Sequence, residues 1–202
     1  MISIEFARSL YEGADAAHAF DHVLRVLALA ERIARAEGAD EQIVRAASLL
    51  HDIARNEPDH HVRGAQRARE LLDSHASGRV DAVCHAIEAH RFRQGPQPAT
   101  LEACCLFDAD KLDAIGAIGV ARAIAYGATH GSRLWSQPLS QIELLRAAPT
   151  GIDYTPSHEY YYKLARLQGL LITQSARQIA TQRHEVMEAF FQRLDVEVQG
   201  LA

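Results

Sequence analysis

Residues 18–38 read HAFDHVLRVLALAERIARAEG. Val26, Leu29, Ala30 and Ile33 follow His22 at i+4, i+7, i+8 and i+11, which is one face of a helix. Ala, Leu, Arg and Glu favour that conformation, and Gly38 offers the left-handed backbone on which helices stop, so the stretch predicts a helix over about 19–37. Downstream, Asp40 is placed to cap a second helix running through Arg55, with Ile43, Ala47, Leu50, His51 and Ala54 on one face and Pro58 beyond its end. Further helices are predicted near 62–75, 79–91, 99–112 and 114–129, with Gly95, Pro96 and Pro98 separating two of them. Residues 131–155 read as irregular with one short helix over 139–147, and a helical stretch from Pro156 to about Glu197 bends near 169–173. No sustained period-2 run predicts a strand, and no repeat divides the chain. The expected class is all-α: one domain over 1–202, with its core over about 18–130 and C-terminal helices over about 156–198 packing on it.

Composition narrows the function classes. The chain has 202 residues, 48% hydrophobic and 23% charged, with a formal charge of −5 and a pI near 6.1. That balance argues against nucleic acid, or an anionic membrane, held by bulk positive charge. No apolar run approaches the ~20 residues of a membrane span, and the first twenty residues lack the pattern of a secretory signal. Cys84, Cys104 and Cys105 are odd in number and lack metal-ligand spacing, which suits a reducing cytoplasm; Cys104 and Cys105 are expected to pack as small apolar residues. A homodimer is left open.

The informative positions are polar residues on apolar faces. His22 and His51 break two such faces, and His90 breaks a third with Val80, Val83 and Ile87. Asp110 and Asp113 follow Leu106, and precede Ala117, where core residues are expected. A lone histidine in such a place is more often a hydrogen-bonded core residue than a ligand. Buried carboxylates are harder to accommodate, because an ionised group must be paired or must bind a metal. If these faces converge, one divalent cation compensates all of them. Imidazole nitrogen and carboxylate oxygen suit Mn, Fe, Co, Ni or Zn. His51 and Asp52 can meet one ion at a helix end, and His22, His51, Asp52 and Asp110 would leave positions open for water and substrate.

The set His22, His51-Asp52 and Asp110 is similar to the H…HD…D pattern of the HD-domain phosphohydrolase superfamily. HAFDHVLRVLALAERIA (18–34) resembles its opening HDxxHvxRVxxxAxxIA, and AASLLHDIAR (46–55) resembles AALLHDigr. LFDADKLDAIGAIGVARAIAYG (106–127) is close to a segment of one bacterial branch with nucleotide pyrophosphatases among its members. The tail YKLARLQGLLITQSARQIATQRHEVMEAFF (162–191) resembles that branch too. The resemblance implies the helical bundle of HD domains and phosphodiesterases. It also implies metal-dependent phosphohydrolysis with Mn as the first metal and Ni, Fe, Co, Mg or Zn as alternatives, and a small phosphorylated substrate, a nucleotide foremost. Departures matter: Arg55 and Asn56 stand where (p)ppGpp hydrolases carry a Glu-Asp pair, and no HHExxxGxGYP motif of cyclic-dinucleotide enzymes occurs. Glu159 holds the place of a branch histidine four residues before Lys163, with His158 one step off.

Roles follow. His22, His51, Asp52 and Asp110 are the expected metal ligands, and Asp52, Lys111 and Asp113 the expected catalytic groups, managing the proton of an activated water and phosphoryl charge. His18, His90, Arg25 and Arg122, the last expected to face inward at i+12 from Asp110 by helical period, are candidates for substrate binding, with an exposed helix start, core packing or ion pairs as the alternatives. His60 and His61 border the HD segment in a proline-bearing loop, and of Tyr160, Tyr161 and Tyr162 two are expected in the core. Cyclic-nucleotide phosphodiesterase and 5′-monophosphatase activities remain alternatives, as does a metal-stabilised regulatory module without turnover.

Overall fold

In the computed structural model, residues 2–11, 16–91 and 95–201 are described, with the backbone alone for 16–19. Among them every regular element is helical. The chain gathers into two compact units, one of residues 1–110 with 172–176 and one of 111–171 with 177–202.

The first unit opens with α1 (Ile4–Ser9), capped by the Ser3 hydroxyl, which accepts from Phe6 N. In α2 (Ala16–Glu37) the predicted apolar face is buried, and the helix stops as expected: Gly38 adopts φ 79°, and the amides of Gly38 and Ala39 both donate to Ala34 O. Asp40 Oδ1 accepts from Gln42 N and Ile43 N and starts α3 (Glu41–Leu50). This helix ends five residues earlier than the sequence predicts. Residues 51–57 form successive tight turns, with Ile53 N, Arg55 N and Glu57 N each donating three residues back. Next come α4 (His60–Leu71), α5 (Ser77–Ala89) and α6 (Leu101–Asp113). Helix α3 packs on α2 and α5, and α5 packs on α4. Ala7, Phe20, Val23, Leu27 and Leu49 form one buried cluster of this unit. Gly64 of α4 faces the turn after α3, where a Cβ would lie 3.4 Å from the His51 carbonyl, at the near limit of ordinary contact.

The second unit takes its start from the last turn of α6. Gly116 adopts φ 81° before α7 (Ala117–Thr129) begins. This break corrects the sequence reading: the 3.6-residue period does not run from Asp110 to Ala117 and Arg122, and both of the latter are exposed. After α8 (Leu139–Ile142), a helical run proceeds as α9 (Pro156–Glu159), a π-helical turn over Tyr160–Leu164, α10 (Ala165–Leu167) and a 3₁₀ turn. The predicted bend is a full break at Leu171, whose backbone is extended, before α11 (Gln174–Glu197). Only Tyr160 of the three tyrosines is buried, stacked on Phe191 at 4.7 Å; Tyr161 and Tyr162 are half-buried. In the first unit, burial pushes the Cys105 thiol up to about 12, so it packs as a neutral group. No helix among the described residues is long and apolar enough to cross a membrane.

Candidate metal centre

The turn after α3 presents His51 and Asp52 side by side, both buried. His22 on α2 is 6% exposed and meets them, and Asp110 arrives from the last turn of α6 with its side chain 23% exposed. His22 Nε2 lies 3.4 Å from His51 Nε2, 3.4 Å from Asp110 Oδ1 and 3.9 Å from Asp52 Oδ2. His51 Nε2 lies 3.8 Å from the same Asp52 oxygen. Ligands bound at ~2.1 Å to one cation are about 3.0–3.4 Å apart along the edges of an octahedron or tetrahedron, so a small contraction seats an ion among these atoms.

Hydrogen bonds point the lone pairs inward. His51 Nδ1 is 2.8 Å from Ser48 O, and His90 Nδ1 is 2.6 Å from Ile87 O. A carbonyl only accepts, so Nδ1 of each ring carries a proton, and in the neutral form of the ring Nε2 is the atom with the free lone pair. Both histidines follow the last residue of their helix, α3 and α5, where the carbonyl three residues back is within reach. Two buried imidazole nitrogens at 3.4 Å, flanked by carboxylate oxygens, form a donor set that a cation fits.

Asp52 joins this group to a second one. Its Oδ1 is 3.9 Å from His90 Nε2 and 4.0 Å from His60 Nε2, while Oδ2 accepts from Arg55 Nη1 at 2.9 Å. The rings of His22, His51, His90 and His60 follow one another at 5.3, 5.3 and 5.5 Å between centroids. In each of the sets His22–His51–Asp52 and Asp52–His60–His90, ligand atoms lie within 4.8 Å of one another. Burial opposes ionisation of Asp52, but His51, Arg55 and His90 beside it outweigh that and hold its carboxyl below the ordinary value. Burial likewise depresses His60, against the pull of Asp52, and favours its neutral, ligating form.

The first unit therefore gathers His22, His51, Asp52, Asp110 and His90, all singled out by the sequence, and adds His60, which sequence spacing leaves in a loop. Pro58 and the left-handed Asp59 turn the chain so that α4 begins at His60 itself. His61 is buried as well, its ring edge-on to that of His60 at 5.9 Å. Arg25 is half-buried on α2, and the side chain of His18 lies outside the described residues. Lys111, Asp113 and Arg122 belong to the second unit. Lys111 is 4% exposed and Asp113 fully buried, with Arg122 Nη1 donating to the Asp113 carboxylate at 2.8 Å. The inward position predicted for Arg122 is thus replaced by an exposed one, tied back to Asp113, because α7 starts a new helical phase after Gly116. His158 is buried in the second unit as a capping group, its Nδ1 accepting from Thr155 N and lying 2.8 Å from Thr155 Oγ1.

A helical scaffold carrying imidazoles and carboxylates in one buried cluster defines a candidate metal-binding protein, and comparison with known proteins fixes its class. The family model of the HD domain matches residues 19–115. An uncharacterized protein of Bacillus subtilis, YpgQ, is 30% identical over 97% of this chain and 92% of its own. The crystal structure of an HD-superfamily hydrolase from Bacillus thuringiensis is 30% identical, with a TM-score of 0.77 over 97% of this chain and 94% of that one. The crystal structure of YpgQ in complex with ADP is 28% identical, with a TM-score of 0.75 over 98% of this chain and 94% of that one. The chain belongs to the HD-domain superfamily and is a metal-dependent phosphohydrolase.

Proposed function

We propose that this chain hydrolyses a phosphate ester or anhydride of a nucleotide, using a divalent cation held by His22, His51, Asp52 and Asp110, with manganese as the first candidate. The observation that carries this reading is the convergence of two imidazole Nε2 atoms 3.4 Å apart with the Asp52 and Asp110 carboxylates at the end of α3. A bound divalent cation supplies a Lewis acid for a phosphoryl oxygen and lowers the pKa of a coordinated water. Asp52, kept ionised by His51, Arg55 and His90 against its burial, is the group that accepts the water's proton. His90 and His60, on the Oδ1 side of Asp52, hydrogen-bond non-bridging phosphate oxygens or extend the donor set. Lys111, next to Asp110 on α6, contributes positive charge toward the transition state, and fully buried Asp113 fixes its surroundings. ADP bound to YpgQ favours a nucleotide over other phosphorylated compounds.

The test is a screen of the purified chain against nucleoside mono-, di- and triphosphates and cyclic nucleotides, with Mn, Co, Ni or Mg. Turnover that disappears in excess chelator and returns with metal is the expected result, and the released product separates pyrophosphatase, monophosphatase and phosphodiesterase action. Full turnover without metal would overturn the mechanism. Stoichiometric metal with no turnover on any phosphorylated compound would point instead to a regulatory module.

A further inference from the structure

The second unit contains a cavity of about 160 Å³ in which Arg122, the substrate-binding candidate of the sequence, meets residues to which the sequence assigned no role. One wall is a single face of α7: Gly119, Arg122, Ala123, Tyr126 and Gly127 recur at helical spacing. The facing wall is the helical run from Pro156, which contributes Glu159 and, from its π-helical turn, Lys163. π-Helical turns re-aim side chains and recur at functional sites. Three small residues on the α7 face leave the space hollow. Gly127 is the informative one: a Cβ there would lie 3.6 Å from its nearest neighbours, Pro156 and Ser132, an ordinary contact, and its φ is not left-handed. Neither crowding nor backbone conformation calls for glycine there, and what it leaves is room.

The polar groups around this space are fixed from behind. Arg122 Nη1 is tied to the carboxylate and the carbonyl of fully buried Asp113, at 2.8 and 3.3 Å, which leaves Nε and Nη2 as uncommitted donors among the described residues. Lys163 Nζ donates to Glu159 at 2.5 Å, and the same carboxylate accepts from Tyr154 OH at 2.9 Å. Tyr126, stacked on His130 at 3.9 Å, adds a flat aromatic edge. A guanidinium anchored through one nitrogen, with a second cation across a hollow, is a preorganised receptor for an oxyanion. The volume admits a phosphate group with part of its sugar; complete small-molecule pockets run from about 300 Å³.

We propose that this cavity is a phosphoanion site, in which Arg122 and Lys163 bind the phosphate end of a nucleotide-class ligand and the remainder of the ligand extends outward past Tyr126. The class of ligand rests on the phosphohydrolase reading above; the anion-binding geometry does not. The ligand is either the substrate itself or a second nucleotide acting as an effector. The experiment titrates the α,β-methylene analogue of ADP, whose phosphorus–carbon bridge resists hydrolysis, into the manganese-loaded full chain by calorimetry. Wild type is compared with Lys163→Met, Lys163→Arg and the cavity-filling Ser132→Leu. Affinity is expected to fall about tenfold or more in Lys163→Met and Ser132→Leu and to return largely in Lys163→Arg, with manganese content and melting temperature unchanged. If Ser132→Leu does not fold, the Lys163 pair decides alone. No saturable binding to wild type, or affinities within about twofold of wild type in every folded variant, would overturn the proposal. A parallel rise in KM identifies the bound anion as substrate. Unchanged KM, with loss of the analogue's effect on rate, identifies it as an effector. Absence of wild-type turnover on every phosphorylated compound would sink the phosphohydrolase reading while leaving this binding result standing.

Discussion

Asp52 divides its two carboxylate oxygens between two pairs of imidazoles, His22 and His51 on one side and His60 and His90 on the other. Asn is nearly isosteric, so Asp52→Asn keeps the packing and removes the charge. With one anionic ligand gone, bound manganese is expected to fall well below one equivalent after gel filtration, and turnover by more than about a hundredfold. Elemental analysis alongside initial rates checks this; stoichiometric manganese with normal turnover would remove Asp52 from the centre. At this scale the sequence was most legible where burial conflicts with polarity. His22, His51 and His90 could be found because each interrupts an apolar face that periodicity defines. His60 could not, since its position depends on a turn at Pro58 and Asp59 that has no period. Arg122 was misplaced for the complementary reason: a helical phase was extended through a glycine that resets it.

Among the elements, α11 shows how a buried carboxylate can serve structure. Asp108, fully buried on α6, accepts from Ile172 N, Thr173 N and Thr173 Oγ1 at 2.7–3.2 Å, at the break that precedes this helix. Nothing local in the sequence announces this, because the partners lie 64 and 65 residues away. Asp108→Ala leaves these donors without their acceptor at a partly buried helix start. A loss of about 2–3 kcal/mol is expected, a fall in melting temperature of roughly 5–10 °C, with metal content preserved. Differential scanning calorimetry on the metal-loaded protein measures it, and an unchanged melting temperature would deny the cap its role. Helix boundaries were legible where the caps are local, as at Asp40 and Gly38. The end of α3 was placed five residues late, because the tight turns of residues 51–57 carry no periodic signal, whereas the break at Leu171 falls within the bend expected over 169–173.

For the whole molecule, helical class and family could be read from the sequence because Ala- and Leu-rich amphipathic stretches fill it and the HD segment stands among them. The division into two units could not, since α6 and α11 each contribute to both. A ligand that binds only the folded chain must stabilise it. Manganese at about a hundred times its dissociation constant is expected to add ~2.7 kcal/mol, raising the melting temperature of the chelator-treated protein by roughly 5–10 °C. Asp52→Asn should abolish that rise, and a melting curve indifferent to manganese in the wild type would argue against a cation at the centre. The three cysteines are free, and His22 and His51 are 29 residues apart along the chain. An ion shared by them would therefore be a covalent-like clasp on a chain without disulfides. It would close a loop that spans the α2–α3 hairpin and, through Asp110, a longer one, with a loop-closure entropy of about 3–4 kcal/mol for the shorter loop if the clasp were permanent. Chelation would then act on the connectivity of the chain as well as on its chemistry, loosening the α2–α3 hairpin toward proteases and hydrogen exchange before any helix melts.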